Sequence, residues 1–124
     1  WVGCVCQLGQ NCRGVGNVVI GNSNLLAGHC NIETNCNIAG NSGVGQFGTL
    51  GRFAFIGGLA GVRKDAEPFL KHDRRPDSVS ANPFAVNTIG LSRGGFSDEE
   101  AARCEIVEKF GQVIPVTRGQ VATR

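Results

Sequence analysis

The amino-acid sequence predicts a parallel β-helix, an all-β solenoid in which short strands wind into stacked triangular coils. Three observations point there. Aliphatic residues recur every six positions, at Ile20, Leu26, Ile32, Ile38, Val44, Leu50, Ile56 and Val62. The position two before each holds a small or medium residue: Val18, Asn24, Cys30, Cys36, Ser42, Gly48, Ala54 and Ala60. Glycine follows the aliphatic at Gly21, Gly45, Gly51 and Gly57. An α-helix repeats every 3.6 residues and a plain strand every 2, so neither produces a step of six. A sustained hexapeptide period is the signature of a parallel β-helix.

Each hexapeptide supplies one short strand and one corner. Three of them close a coil, so residues eighteen apart stack at the strand spacing of about 4.8 Å. The expected interior columns are Ile20, Ile38 and Ile56; Leu26, Val44 and Val62; and Ile32 and Leu50. The small residue two places earlier also points inward, where little room is left. Glycine after the aliphatic is expected to take corner backbone angles that other residues resist. Stepping back gives Gly14, Leu8 and Val2, with Cys12 and Cys6 in the small slot, so the register continues weakly toward Trp1. Residues 1–66 are therefore assigned to a β-helix of fewer than four coils. Its first coil leaves an open strand edge near Trp1, and such an edge invites pairing with another chain or a cap.

Composition agrees with a narrow interior. Gly is 19 of 124 residues, Tyr and Met are absent, and there is one Trp, so Ile, Val, Leu, Ala and Cys must fill the core. A net charge of +2 is too small to argue for a nucleic-acid partner. No apolar run reaches the ~18 residues of a membrane span, and no secretory leader is visible. The chain starts at Trp1 rather than Met, as expected of a processed chain or a piece of a longer one.

The repeat accounts for most cysteines. Cys6, Cys12, Cys30 and Cys36 occupy the small inward slot, where they serve as compact hydrophobes. Cys12 and Cys30 lie one coil apart, so a disulfide between them stays open. Their spacing does not match the usual paired cysteines of a zinc site, and no metal is expected. Cys4 is out of register and Cys104 lies in the tail. Cysteines held in core slots fit a reducing compartment.

After Val62 the period stops. Residues 67–96 are polar, carry three prolines and read as a connecting loop folding back along the coils. Within it His72 and the "RRPD" run read as solvated charge. Residues 97–124 read as a short helix and tail. Ser97 is the N-cap, Glu100 completes a capping box, and acidic residues fill the first turn. Ala101, Cys104, Val107 and either Ile106 or Phe110 form its apolar face, and Gly111 and Pro115 end it.

The coils, "LAGH" at 26–29, the "QF" pair with "GG" at 57–58, "GVRKDAEPF" at 61–69 and "PFAVNTIGLSRGGFS" at 83–97 together resemble the UDP-N-acetylglucosamine O-acyltransferase family of lipid A biosynthesis. The last segment is not a repeat, which makes the resemblance specific; it runs from about Gly9 to Ala102. The resemblance implies a left-handed coil, a trimer about the helix axis with sites between subunits, and no cofactor. It implies transfer of a hydroxyacyl chain from acyl carrier protein to a sugar hydroxyl, with a histidine as general base. Imidazole suits that task because its pKa lies near working pH. Counting back from "LAGH", the base position holds Gln10, and an amide takes up no proton at neutral pH. Two further histidine positions hold Gln7 and Gly45. His29 is kept and implied to line the pocket; Gln46 is kept; Gly58 is the glycine that leaves room for the acyl chain. Asn87 and Arg93 match residues that hold the nucleotide, whereas Ile89 and Gly94 replace an acidic residue and a second arginine.

The expectation is an acyltransferase-derived β-helix without catalysis, serving as a structural or docking subunit. Its partners are other protein chains, as a homotrimer or in a larger complex that caps the first coil, with residual binding of acyl carrier protein or a UDP-sugar. The alternative is an active acyltransferase whose catalytic residues are altered or shared between chains. His29 is read as a surface residue at a subunit contact, with a pocket remnant and an independent base as alternatives. A zinc enzyme of the γ-carbonic-anhydrase type is disfavoured because such a site needs three histidines. The compartment expected is cytoplasm or an organelle interior.

Overall fold

The computed structural model describes the backbone of residues 1–109 and the side chains of residues 1–103. The elements are β1 (Gln7–Leu8), β2 (Arg13–Gly14), β3 (Val19–Ile20), β4 (Leu25–Leu26), β5 (Asn31–Ile32), β6 (Asn37–Ile38), β7 (Gly43–Val44), β8 (Thr49–Leu50), β9 (Phe55–Ile56), β10 (Gly61–Val62), β11 (Asp65–Ala66), β12 (Leu70–Arg74), β13 (Ala81–Val86), α1 (Thr88–Arg93) and α2 (Asp98–Lys109). They wind a left-handed parallel β-helix of about four turns. The first face is β1-β4-β7-β10, the second β2-β5-β8-β11, and the third β3-β6-β9-β12 with β13 at its edge.

The predicted columns form. Leu26 pairs with Val44 and Val44 with Val62, Ile32 with Leu50, and Ile20 with Ile38 and Ile38 with Ile56. All of these aliphatics are buried. Strands β1 to β11 are each two residues long and stack in parallel, so their backbone hydrogen bonds run from coil to coil. Leu25 N donates to Ser42 O and Ala27 N to Val44 O, both at 3.0 Å.

The corners differ from expectation. The left-handed backbone falls on side-chain-bearing residues three positions after the aliphatic, among them Ser23, His29, Asn35, Asn41, Phe47, Phe53 and Leu59, with φ between 57° and 62°. That conformation costs roughly 1–2 kcal/mol for an L-residue. A hydrogen bond to the preceding coil offsets it at Ser23, His29, Asn41, Phe47, Phe53 and Leu59, as from His29 N to Gln10 O at 2.7 Å and from Phe47 N to Gly28 O at 3.0 Å. The glycines after the aliphatics serve close approach instead. A Cβ on Gly45 would lie 2.6 Å from Arg63 O, and one on Gly51 2.7 Å from Pro68 N.

The coil does not stop at Val62, so fewer than four coils is corrected to about four. The connection after β10 is two residues shorter, and the offset between stacked residues falls from eighteen to sixteen. Asp65 pairs with Thr49 and His72 with Ile56. Ala66 thus ends the second column, and His72 ends the column of Ile20, Ile38 and Ile56. Residues 67–96, expected as a loop, contain β12, the antiparallel β13 and α1. His72 is not solvated: it is 2% exposed, its Nε2 lies 3.0 Å from Glu67 O and its Nδ1 3.6 Å from Glu67 Oε2. Burial pushes its pKa below the usual histidine value, and Glu67 opposes the shift.

A second cluster packs Phe53, Phe69, Leu70, Val86, Leu91 and Phe96 beside the coil. The Phe96 ring meets Phe53 edge-on at 5.0 Å and Phe69 at 5.8 Å. The capping box at α2 is present: Glu100 N donates to Ser97 Oγ at 3.2 Å and Ser97 N to Glu100 Oε1 at 3.0 Å. The expected helix stop at Gly111 and Pro115, the apolar face beyond Ala101, and the tail lie outside the described residues.

Candidate functional site

The eighteen-residue spacing brings part of the predicted site to one corner line, between the first and second faces. Gln10, Gly28 and Gln46 stack there in one column, and Asn11, His29 and Phe47 in the next. A Cβ on Gly28 would lie 3.5 Å from Gln10 O and 3.8 Å from Gln46 Nε2, so this glycine leaves a notch between the two glutamines. The side chains of Gln10, His29 and Gln46 are exposed. The His29 ring stacks on Phe47 with centroids 4.9 Å apart and planes 7° apart. Among the described residues no carboxylate bonds to that ring. Phe47 is 68% exposed, so the pair forms a flat aromatic surface open to solvent. The notch offers amide hydrogen bonds and a π face. Its one imidazole is that of His29.

Gly58 is elsewhere, at the corner between the third and first faces beside exposed Leu59. A Cβ on Gly58 would meet Gly40 O at 3.5 Å, an ordinary van der Waals contact, so a side chain there is not excluded by packing.

Asn87 and Arg93 are brought together in a third place, a groove of about 550 Å³ between the third face and α1. Val19, Asn37, Phe55 and Lys71 form its floor, and Phe84 closes one side. Asn87 is buried and fully engaged. Its Nδ2 donates to Phe53 O at 2.8 Å, and its Oδ1 accepts from Gly90 N at 3.1 Å as the cap of α1. Arg93 is exposed in the last turn of α1. At Gly94, where the resemblance implies a second arginine, a Cβ would collide with the Phe53 ring. That departure therefore has a packing cause.

Two participants were not singled out from the sequence. Phe47 was legible, since it stands eighteen residues after His29. Lys71, whose Nζ lies 5.7 Å from the centroid of the Phe84 ring, was not, because β12 is out of the six-residue register. Among the described residues no group of three His, Cys, Asp or Glu side chains is placed to hold a metal, and no helix is long and apolar enough to cross a membrane.

No protein-family model matches the chain. Acyl-(acyl-carrier-protein)–UDP-N-acetylglucosamine O-acyltransferase of Anaeromyxobacter dehalogenans is 33% identical over 104 residues, which is 84% of this chain and 39% of that protein. The enzyme of the same name from Gloeothece citriformis is 39% identical over 94 residues, covering 76% of this chain and 33% of its own length. The crystal structure of Francisella novicida UDP-N-acetylglucosamine acyltransferase superposes with a TM-score of 0.73 at 34% identity, covering 86% of this chain and 38% of that one. The chain thus spans about two fifths or less of the length of these curated relatives.

Proposed function

We propose, from the premise that this chain is a homologue of part of the acyl-(acyl-carrier-protein)–UDP-N-acetylglucosamine O-acyltransferases, that it is a non-catalytic β-helical subunit that docks other chains. The observation that carries this reading is Gln10. A sugar hydroxyl must lose its proton as it attacks a thioester, and the resemblance puts the proton acceptor at that position. An amide there hydrogen-bonds the hydroxyl but cannot take the proton. His29, on the same corner line, is stacked on Phe47 and has, among the described residues, no carboxylate to orient it, unlike a base held by a third group.

The distribution of the retained residues supports a role in an assembly. Gln46 with His29, Gly58, and Asn87 with Arg93 occupy three separate places on one chain. A pocket using all of them needs a second chain's corner beside the first, as in a homotrimer or a larger complex. The groove at Asn87 and Arg93 supports residual binding of a UDP-sugar. The free thiols of Cys4, Cys6, Cys12, Cys30 and Cys36 support a reducing compartment, cytoplasm or organelle interior.

The test is acyl transfer from acyl carrier protein to UDP-N-acetylglucosamine by the natural chain beside Gln10→His. The expected result is no turnover by the natural chain. Turnover by Gln10→His would then mean that the pocket persists and only the base is gone, a gain of at least the 10²–10⁴-fold typical of a positioned base. Turnover by the natural chain, lost in His29→Ala, would overturn the reading and establish an active enzyme with a displaced base.

A further inference from the structure

The side chains of Cys12 and Cys30 point into the same interior column, one coil apart. β2 and β5 pair in parallel with Arg13 opposite Asn31, so the two cysteines stand opposite each other one residue earlier. Arg13 N donates to Cys30 O at 2.8 Å. Both thiols converge on one acceptor, Ala27 O, at 3.0 Å each. Adjacent strands bring Cα atoms to about 4.8 Å, within the roughly 4.4–6.8 Å that a disulfide spans. The other inward cysteines lack such a neighbour: Cys6 stacks on Asn24, and Cys36 lies between Val18 and Ala54. Cys12 is half-buried and Cys30 fully buried.

We propose that Cys12 and Cys30 are a peroxide-responsive dithiol, which closes to a disulfide stapling the first coil to the second. The oxidant is a hydroperoxide. The more accessible Cys12 thiolate attacks the peroxide oxygen; the O–O bond breaks and the departing oxygen leaves with a proton. Cys12 is then a sulfenic acid. The Cys30 thiol gives up its proton and attacks that sulfur, the S–O bond breaks, and water leaves. Two thiols and one hydrogen peroxide thus become one disulfide and two waters. Burial pushes the Cys30 thiol pKa up, with Cys12 adding to the shift, which makes Cys30 the resolving rather than the attacking group. The thiol hydrogen bonds to Ala27 O and Gly45 O stabilise the reduced form, so a dithiol reductant reopens the bond. This inference holds whether or not the chain transfers acyl groups.

The test uses the full chain carrying Cys4→Ser, Cys6→Ser, Cys36→Ser and Cys104→Ser. One equivalent of hydrogen peroxide is expected to remove two hydrogen masses, to protect both remaining thiols from alkylation after denaturation, and to raise the thermal midpoint. Dithiothreitol is expected to reverse all three. Sulfinic acid at Cys12 with Cys30 still alkylated, or disulfide-linked dimers in place of the internal bond, would overturn the proposal. Should that variant fail to fold, the natural chain is oxidised and cut after Arg13 and Glu33. Linked peptides 1–13 and 14–33 joined through Cys12 and Cys30 support the pair; a link through Cys4 or Cys6 refutes it.

Discussion

The inward slot two places before each aliphatic selects for more than size. Cys6 Sγ donates to Gly21 O at 2.9 Å, Cys36 Sγ to Gly51 O at 2.9 Å, and Ser42 Oγ to Gly57 O at 2.8 Å, each to the carbonyl fifteen residues on. The cysteines expected as compact hydrophobes are therefore also donors to corner carbonyls. Cys36, pushed up to about 12 by burial, keeps the proton this role needs. Asn24 does more. Its Oδ1 accepts from the buried Ser42 N at 2.7 Å, and its Nδ2 donates to Gly21 O at 3.0 Å. Asn24→Ala leaves that N–H unpaired and is expected to cost about 2–3 kcal/mol. Ser42→Ala removes one neutral hydrogen bond and is expected to cost about 1 kcal/mol. Urea midpoints of the two variants check the ranking, and equal losses would refute it.

At the scale of elements, β12 is the informative one. It puts His72 where the ladder calls for an aliphatic. The imidazole takes a proton near 6.5 in the unfolded chain and only at lower pH in the fold. Between those values the unfolded state binds more protons, so stability is full above about pH 6.5 and falls as the pH drops through that window. Glu67, which lies beside the ring, moderates the loss. His72→Leu is expected to remove this component: its stability relative to the natural chain should rise from pH 7 to pH 5 in urea titrations. A constant difference would show that the ring takes up its proton at the same pH in the fold as in the unfolded chain, and would refute the shift. The same strand marks where sequence reading ends. From Ile20 to Val62 each inward residue is dictated by a local period of six, and the whole ladder is legible. The shortened connection after Val62 puts Ala66 and His72 inward, neither of which looks like a core aliphatic. The pairing of β13 with β12 depends on a contact that no local period encodes. α1 is only six residues long, and its cap, Asn87, also bonds Phe53 O, 34 residues away.

At the scale of the whole molecule, the described residues form two hydrophobic clusters. The column cluster runs from Val18 to Ala66 along the coil; the aromatic cluster of Phe53, Phe69 and Phe96 holds α1 against it. Because each coil bonds mainly its neighbours, damage to the second should stay local. Phe96→Ala is expected to speed hydrogen exchange at the amides of α1 while those of β4 to β9 keep their protection. Loss of protection across the coils would mean the two clusters unfold as one. The site follows the same division. Gln10, His29 and Gln46 meet by arithmetic on the repeat, and that grouping was legible. The separation of Asn87 and Arg93 from them was not, since it depends on which face the final hairpin and α1 cover.

The corners have one more consequence. Gln10, His29 and Gln46 project from the coil and take no part in the columns that hold it together. Exchanging an exposed corner side chain outside the left-handed positions, such as Gln10 or Gln46, changes folding free energy by about 0.5 kcal/mol or less. A lineage with this architecture can shed its chemistry in single neutral steps, each invisible to selection on folding. The folded body outlives the reaction, intact and free to be recruited for another use.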